Sequence, residues 1–273
     1  MREDFEVKIY GVRGSLQAVG INGGSFGANT SCVLVRCGDT RIVLDCGSGA
    51  FILGEELLNE PENDLTVLIS HTHLDHILGV PFFRPLFESR FSISFYGAVQ
   101  CGRNIIEQIG CMMSPPLWPV GVSDFKASVV HREVVPGKGF TLENGIIVET
   151  LLSNHPNVAV LYKITYKGRS FVYGLDYEHC DKSSYGFDAF IKGCDLVLYD
   201  ASYSNEEYAL HRGYGHSTWE TGMALAERCG VKRMIMSHLG FYKTDSELEA
   251  LDRKIQSLNS HCALAREGEV FIL

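Results

Sequence analysis

The run His71-Thr72-His73-Leu74-Asp75-His76 leaves this chain few ways to fold. It follows directly on Leu65–Ser70, an apolar stretch that reads as a buried strand. Three imidazoles and a carboxylate within six positions supply nitrogen and oxygen ligands suited to zinc, iron or manganese. At a strand end, alternation points His71 and His73 the same way, and the turn that follows brings Asp75 and His76 around. Two adjacent ion sites are then within reach of one loop. A polar surface loop is the bland alternative, and it leaves four ligand-type side chains unexplained.

The rest of the chain reads as strands and helices in two similar halves. Val7–Tyr10 is a short strand, followed by a glycine-rich loop from Gly11 to Gly27. Ser31–Arg36 and Arg41–Asp45 make two strands joined at Cys37-Gly38-Asp39-Thr40. A helix is expected around Ala50–Asn59, and Leu78–Glu88 reads as helical despite its prolines. In the second half Ile146–Leu152, Ala159–Tyr166, Ser170–Leu175, Leu196–Asp200, Arg233–Ser237 and Glu269–Leu273 read as strands. Asp188–Lys192, Thr218–Cys229 and the amphipathic Asp245–Leu258 read as helices. Such a pattern suggests two sheets with helices on their outer faces. No repeat, low-complexity tract or linker marks a boundary, so residues 1–273 are expected to form one domain.

Charge and cysteines narrow the setting. The net charge of −9 gives no basic field for a long nucleic acid, so none is expected as a partner, and a small ligand fits better. Nine cysteines form no C-x-x-C pair, and Met1-Arg2-Glu3-Asp4-Phe5 is charged rather than a signal peptide. Both point to reduced thiols in a cytoplasm. No apolar run reaches the roughly 20 residues of a membrane span, so no membrane is expected.

His71–His76 resembles the H-x-H-x-D-H signature of the metallo-β-lactamase superfamily, and further motifs follow in that family's order. Asp45 in Leu44-Asp45-Cys46-Gly47 looks like the acidic residue behind the metal loop. His155 in Ser153-Asn154-His155-Pro156 looks like the isolated third-motif histidine. Asp176 in Gly174-Leu175-Asp176 resembles the bridging aspartate, and His238 in Met236-Ser237-His238 the last histidine ligand. The resemblance implies an α/β fold, a four-layer αββα sandwich of two mixed sheets flanked by helices. It implies two divalent ions, zinc first, with manganese or iron as alternatives. One ion would take His71, His73 and His155, the other Asp75, His76 and His238, with Asp176 between them. A water or hydroxide shared by the ions would be the nucleophile. Asp45 would hold a ligand's orientation from behind.

The branch is narrowed by two more segments. Gly11-Val12-Arg13-Gly14-Ser15 and Gly27-Ala28-Asn29-Thr30-Ser31-Cys32 are similar to the opening of bacterial proteins grouped with phosphodiesterases and RNase Z. Tyr214-Gly215-His216-Ser217-Thr218 resembles that group's G-H-S-T element, whose histidine sits beside the scissile phosphate. His216 and Asp75 are therefore the catalytic candidates, with Asn29, Trp118, Ser217 and Thr218 as candidate substrate contacts. Ser217 or Thr218 also reads as a helix N-cap. Trp118, in a proline-rich apolar stretch, either stacks on a flat substrate group or covers the core or a subunit contact. The short stretch between His155 and Asp176 leaves no room for the long arm of RNase Z. Small or cyclic phosphodiesters are the expected substrates. A diiron oxygen-binding or redox protein and a non-catalytic metal sensor are the alternatives, and a homodimer stays open.

Overall fold

The computed structural model describes residues 4–18, 20, 24–179 and 186–273. Met1–Glu3 and Cys180, which bear on the expectations about a leader and about thiols, lie outside the described residues. So do parts of the glycine-rich loop. The eight described cysteines are all free thiols. Among the described residues no helix is long and apolar enough to cross a membrane.

In chain order the first strands are β1 (Phe5–Gly11), β2 (Arg13–Gly14), β3 (Cys32–Cys37), β4 (Thr40–Leu44), β5 (Asp64–Leu68), β6 (Ser92–Gly97), β7 (Ser128–Glu133) and β8 (Phe140–Thr141). Then come β9 (Ile147–Leu152), β10 (Val160–Tyr166), β11 (Arg169–Gly174), β12 (Leu196–Asp200), β13 (Met234–Ser237), β14 (Leu239–Gly240), β15 (Cys262–Leu264) and β16 (Val270–Ile272). The helices are α1 (Ala50–Leu57), α2 (Leu74–Ile77), α3 (Ile105–Met112), α4 (Phe187–Ile191), α5 (Asn205–Tyr208), α6 (Trp219–Cys229) and α7 (Asp245–Leu258).

Alternation along the central strands decides how these elements stack. Val33 and Val35 of β3 face one core while Leu34 between them faces another, and Ile42 and Leu44 of β4 divide from Val43 in the same way. In the second half Phe171 and Tyr173 join the core of Val33, whereas Val172 turns to a third core, and Val197 parts from Leu196 and Leu198 likewise. Strands apolar on both faces must be covered on both. Two seven-stranded sheets therefore pack face to face, in the orders β16-β1-β3-β4-β5-β6-β7 and β15-β13-β12-β11-β10-β9-β8. Leu53, Leu57, Ile105 and Ile109 of α1 and α3 cover the outer face of the first. Phe187, Leu225, Leu248 and Ile255 of α4, α6 and α7 cover the second. Each such side chain contributes roughly 1.5–3 kcal/mol by leaving water. Both sheets are mixed: β1, β3 and β4 run antiparallel before the parallel β4–β5–β6–β7, and β9–β10–β11 antiparallel before β11–β12–β13.

One expectation needs correcting, and one stretch had no assignment. Leu78–Glu88 is not one helix but two short 3₁₀ turns, Val80–Phe82 and Arg84–Phe87. Pro81 and Pro85 each remove a backbone donor and crowd the preceding turn, which no longer α-helix survives. Between residues 89 and 145 the chain forms β6, α3, β7 and β8, none of them assigned from pattern. The sheet-edge strand β7 is mostly exposed and carries Ser, His, Arg and Glu, so it shows no apolar period.

The topology also fixes where chemistry collects. β4 and β5 are parallel, as are β11, β12 and β13. Parallel neighbours end at the same edge of a sheet, and ligands of such sheets sit in the crevice beyond the carboxyl ends. Asp200 ends β12, and Asp45, the His71 loop, Asp176 and His238 follow the other strand ends within a few residues.

Candidate metal centre

Each histidine of the centre has one ring nitrogen held by a neighbour and the other turned into the cluster. His76 Nδ1 lies 2.7 Å from Asp45 Oδ2, His71 Nδ1 3.1 Å from Ser70 Oγ, and His155 Nδ1 2.9 Å from the Gly215 carbonyl. His238 Nδ1 lies 3.0 Å from Ser202 Oγ, and His73 Nε2 faces the Asn157 amide at 3.0 Å. Such partners fix the ring's tautomer and aim.

The inward nitrogens converge on Asp176. Its Oδ1 lies 3.8 Å from both His71 Nε2 and His155 Nε2. Its Oδ2 lies 3.0 Å from His76 Nε2 and 3.5 Å from His238 Nε2. Asp75 Oδ2 completes the second half at 3.4 Å from His76 Nε2 and 3.2 Å from His238 Nε2. His71, His73 and His155 form one group able to hold an ion, and Asp75, His76 and His238 another.

Whether this donor set fits cations is tested by atoms that nothing else satisfies. His71 Nε2, His76 Nε2 and Asp176 Oδ2 are buried with no hydrogen-bond partner. The last two are close enough to bond but not aligned to do so. His73 Nδ1 and His155 Nε2 face each other at 3.1 Å, close enough to share a proton or to address one ion together. A buried polar atom left unpaired costs about 1–3 kcal/mol. Divalent cations answer all of these at once.

Charge within the cluster tells the same story. Burial opposes a proton on His76, yet Asp176, Asp75 and Asp45 outweigh it and hold that imidazole well above its usual pKa. Burial likewise opposes ionisation of Asp176, but His238, His76 and His71 together keep it well below the usual carboxylate range. His238 is pushed up to about 9, its burial outweighed by Asp176 and Asp75. Burial and the neighbouring His76 keep His71 low. The carboxylates thus demand positive charge, and bound cations would supply it in place of protons, since ligand imidazoles must be neutral.

Asp45 is fully buried behind this loop. It takes hydrogen bonds from Ser70 N and Oγ at 2.7 Å each and from Tyr173 Oη at 2.8 Å, besides its contact with His76. A buried carboxylate is tolerable only with such a full set of donors. Asp45, Asp176 and His238 also share a left-handed backbone, with φ of 57°, 55° and 59°. Side chains rarely adopt it, and strain of this kind gathers at functional sites at about 1–3 kcal/mol per residue.

His216 stands beside the cluster. Its Nδ1 lies 2.8 Å from Asp200 Oδ2, and its ring stacks on His238 with centroids 4.7 Å apart. Its reach to Asp176, Asp200 and His238 also makes a group that could hold an ion. Its Nδ1 is engaged by Asp200, whereas His71 Nε2 and His76 Nε2 have no hydrogen-bond partner. Asp200, missed in the sequence, organises this side: it also accepts from Asp176 N, Ser202 N and Oγ, and Ser217 N. Glu178, also missed, accepts from Gly213 N and Gly215 N and pins the segment before His216.

Four expected substrate contacts have their side chains engaged within the protein. Asn29 has its amide taken up by Gln17, Ser48 and Glu267. Ser217 Oγ is held between His179 Nδ1 at 2.7 Å and Tyr199 Oη at 2.6 Å. Thr218 is the N-cap of α6, accepting from Thr221 N and donating to Asn205. Trp118 packs edge-on against Phe82 at the margin of the core under α3, the core-covering role rather than the stacking one.

Gly215 offers a direct check on the cradle. Its φ is +88°, and a Cβ there would sit 2.0 Å from His155 Nδ1. Gly215→Ala is expected to push His155 off its mark and weaken metal affinity by about 10–100-fold, the usual cost of disturbing a ligand's supporting contacts. Zinc titration against a chromophoric chelator reads it, and unchanged affinity would return His155 to a structural role.

A model of the Beta-lactamase superfamily domain matches residues 40–239. The chain belongs to the β-lactamase superfamily. Its architecture is the metallo-β-lactamase fold: the metallo-beta-lactamase fold protein YhfI from Bacillus subtilis superposes with a TM-score of 0.72 at 20% identity, over 99% of this chain and 100% of that one. A diphosphatase from the PhnP family superposes with a TM-score of 0.71 at 17% identity, over 100% and 98%. Among curated superfamily relatives, a Ribonuclease Z of Bradyrhizobium sp. (strain ORS 278) is 26% identical, over 82% of this chain and 88% of its own length. A ribonuclease among the relatives overturns the expectation that no long nucleic acid is a partner. Net charge sums the whole surface, whereas a nucleic acid meets only the local field of one face.

Proposed function

We propose that this superfamily member is a metal-dependent phosphodiesterase, with residues 1–273 as one hydrolase domain. What carries the reading is the Asp200–His216 pair standing against a cluster built to hold cations. Two divalent ions, zinc first and manganese or iron as alternatives, suit the mixed imidazole and carboxylate donors of His71, His73, Asp75, His76, His155, Asp176 and His238. Bound there, they would supply Lewis acidity toward a phosphoryl oxygen and a water activated near neutral pH.

The chain's own groups do the rest. Asp200 holds His216 by Nδ1 and leaves Nε2 to carry a proton to or from the substrate. The side chain is 13% exposed, close to solvent yet backed by protein. Ser15 N donates to Asp75 Oδ2 at 2.8 Å, which ties the Gly14-Ser15 turn to the metal loop and fixes the oxygen that faces His76 and His238. A departing alkoxide is the group that such a histidine would protonate.

Metal-replete protein is expected to hydrolyse bis-p-nitrophenyl phosphate and to leave β-lactams essentially untouched. Small diesters and cyclic nucleotides are the substrate classes proposed, and the ribonuclease relative puts a structured RNA in the same screen. Inertness toward aryl, cyclic and RNA diesters, in zinc, manganese and anaerobic ferrous iron alike, would sink the proposal.

A further inference from the structure

Beside the metal cluster, and sharing His216 and His238 with it, lies a cavity of about 330 Å³. It is lined by the Gly14-Ser15 turn and by the rings of Tyr203, His211, Tyr214, Phe241 and Tyr242. Among the described residues none that line it is Lys, Arg, Asp or Glu. The rings form a continuous path to the centre. His211 stacks on Tyr203 at 4.5 Å and 16°, Tyr214 meets His211 edge-on at 5.4 Å, and Tyr203 meets His216 edge-on at 6.1 Å. Tyr214 is 60% exposed, an ordinary core's poor use of a large ring.

We infer that this cavity is a subsite for one nucleobase of the substrate, with Tyr214 as its stacking platform. The inference rests on the phosphodiesterase reading and names the group next to the scissile phosphate. Three features select a base. Away from His216 and His238 the walls carry no Lys, Arg, Asp or Glu, so that end offers little to a second phosphate or an ammonium. They are flat and aromatic, and every nucleobase has a face to lay on them. The volume lies at the small end of ligand pockets, enough for one ring system and not for a duplex. The anionic end of the same ligand then falls beside His216 and the cation-holding cluster.

Equilibrium binding tests this apart from turnover. Metal-loaded protein is titrated with AMP and with ribose 5-phosphate, which share the phosphate and sugar and differ only in the base. AMP is expected to bind at least about 10-fold tighter, the scale of one base–aromatic stack. Tyr214→Ala should bring the two affinities together, and Tyr214→Phe, which keeps the ring, should preserve the preference. Tyr242→Ala provides a second variant should the first not fold. Equal affinities in the native protein, or a preference untouched by both alanine variants, would overturn the inference. Hydrolysis of bis-p-nitrophenyl phosphate without an AMP preference would sink the base subsite alone. An AMP preference sensitive to Tyr214, in protein inert toward all diesters, would support the subsite and sink the phosphodiesterase reading.

Discussion

Asp176→Ala is expected to deplete both ion positions together and to take diester hydrolysis down to background. The reason is where its two oxygens point. Oδ1 addresses His71 and His155, and Oδ2 addresses His76 and His238, so one carboxylate serves both halves of the cluster. Removing it takes an anion from each half and leaves four buried imidazoles crowded together, an arrangement that favours neither bound cations nor protons. Asp176→Asn, nearly the same shape without the charge, should fail in the same way, which separates lost charge from lost packing. Metal content by mass spectrometry, with anomalous scattering to place the ions, reads the outcome. A variant that keeps one ion at full occupancy would show that Asp176 belongs to one half only.

Asp176 itself was readable as a site residue in the sequence, and Asp200 was not, although both lie at the carboxyl ends of parallel strands of one sheet. The difference is instructive. His71–His76 declares itself because four ligand-type residues fall within six positions. Asp45, His155, Asp176 and His238 gain meaning only from their order after that cluster. Asp200 belongs to no such series, and a single Asp ending a strand looks the same whether it orients a histidine or caps a turn. The rule that parallel strands deliver their carboxyl ends to one crevice would have found it. Glu178 had no such signal, since its role is to hold backbone donors of a loop 35 and 37 residues further on.

The expected substrate contacts are the converse case. Asn29, Ser217 and Thr218 lie in motifs that flank the site, and polar residues in such loops look available. In the fold their side chains turn inward, because buried loop backbone and hydroxyls must be satisfied before a ligand arrives. Alternation along the central strands made both sheets legible, while the sheet-edge strand β7 and the proline-broken turns after His76 carried no period to read.

His216→Ala is expected to leave metal content unchanged and to lower kcat by about 10²–10⁴-fold on diesters with alkyl leaving groups, the usual scale of general acid–base help. The cluster offers ion-holding groups on both sides of Asp176 without this residue. Its Nδ1 is engaged by Asp200 at 2.8 Å, so the ring's free nitrogen is the one that can serve a substrate. A leaving alkoxide needs a proton and nitrophenolate does not, so the loss should shrink sharply on bis-p-nitrophenyl phosphate. Asp200→Asn acts through His216 and should reproduce the same dependence on leaving group with a smaller drop. That dependence is what a merely structural aspartate would not produce. Loss of an ion from His216→Ala would make it a ligand after all, and full activity on alkyl esters would leave it only a ring stacked on His238.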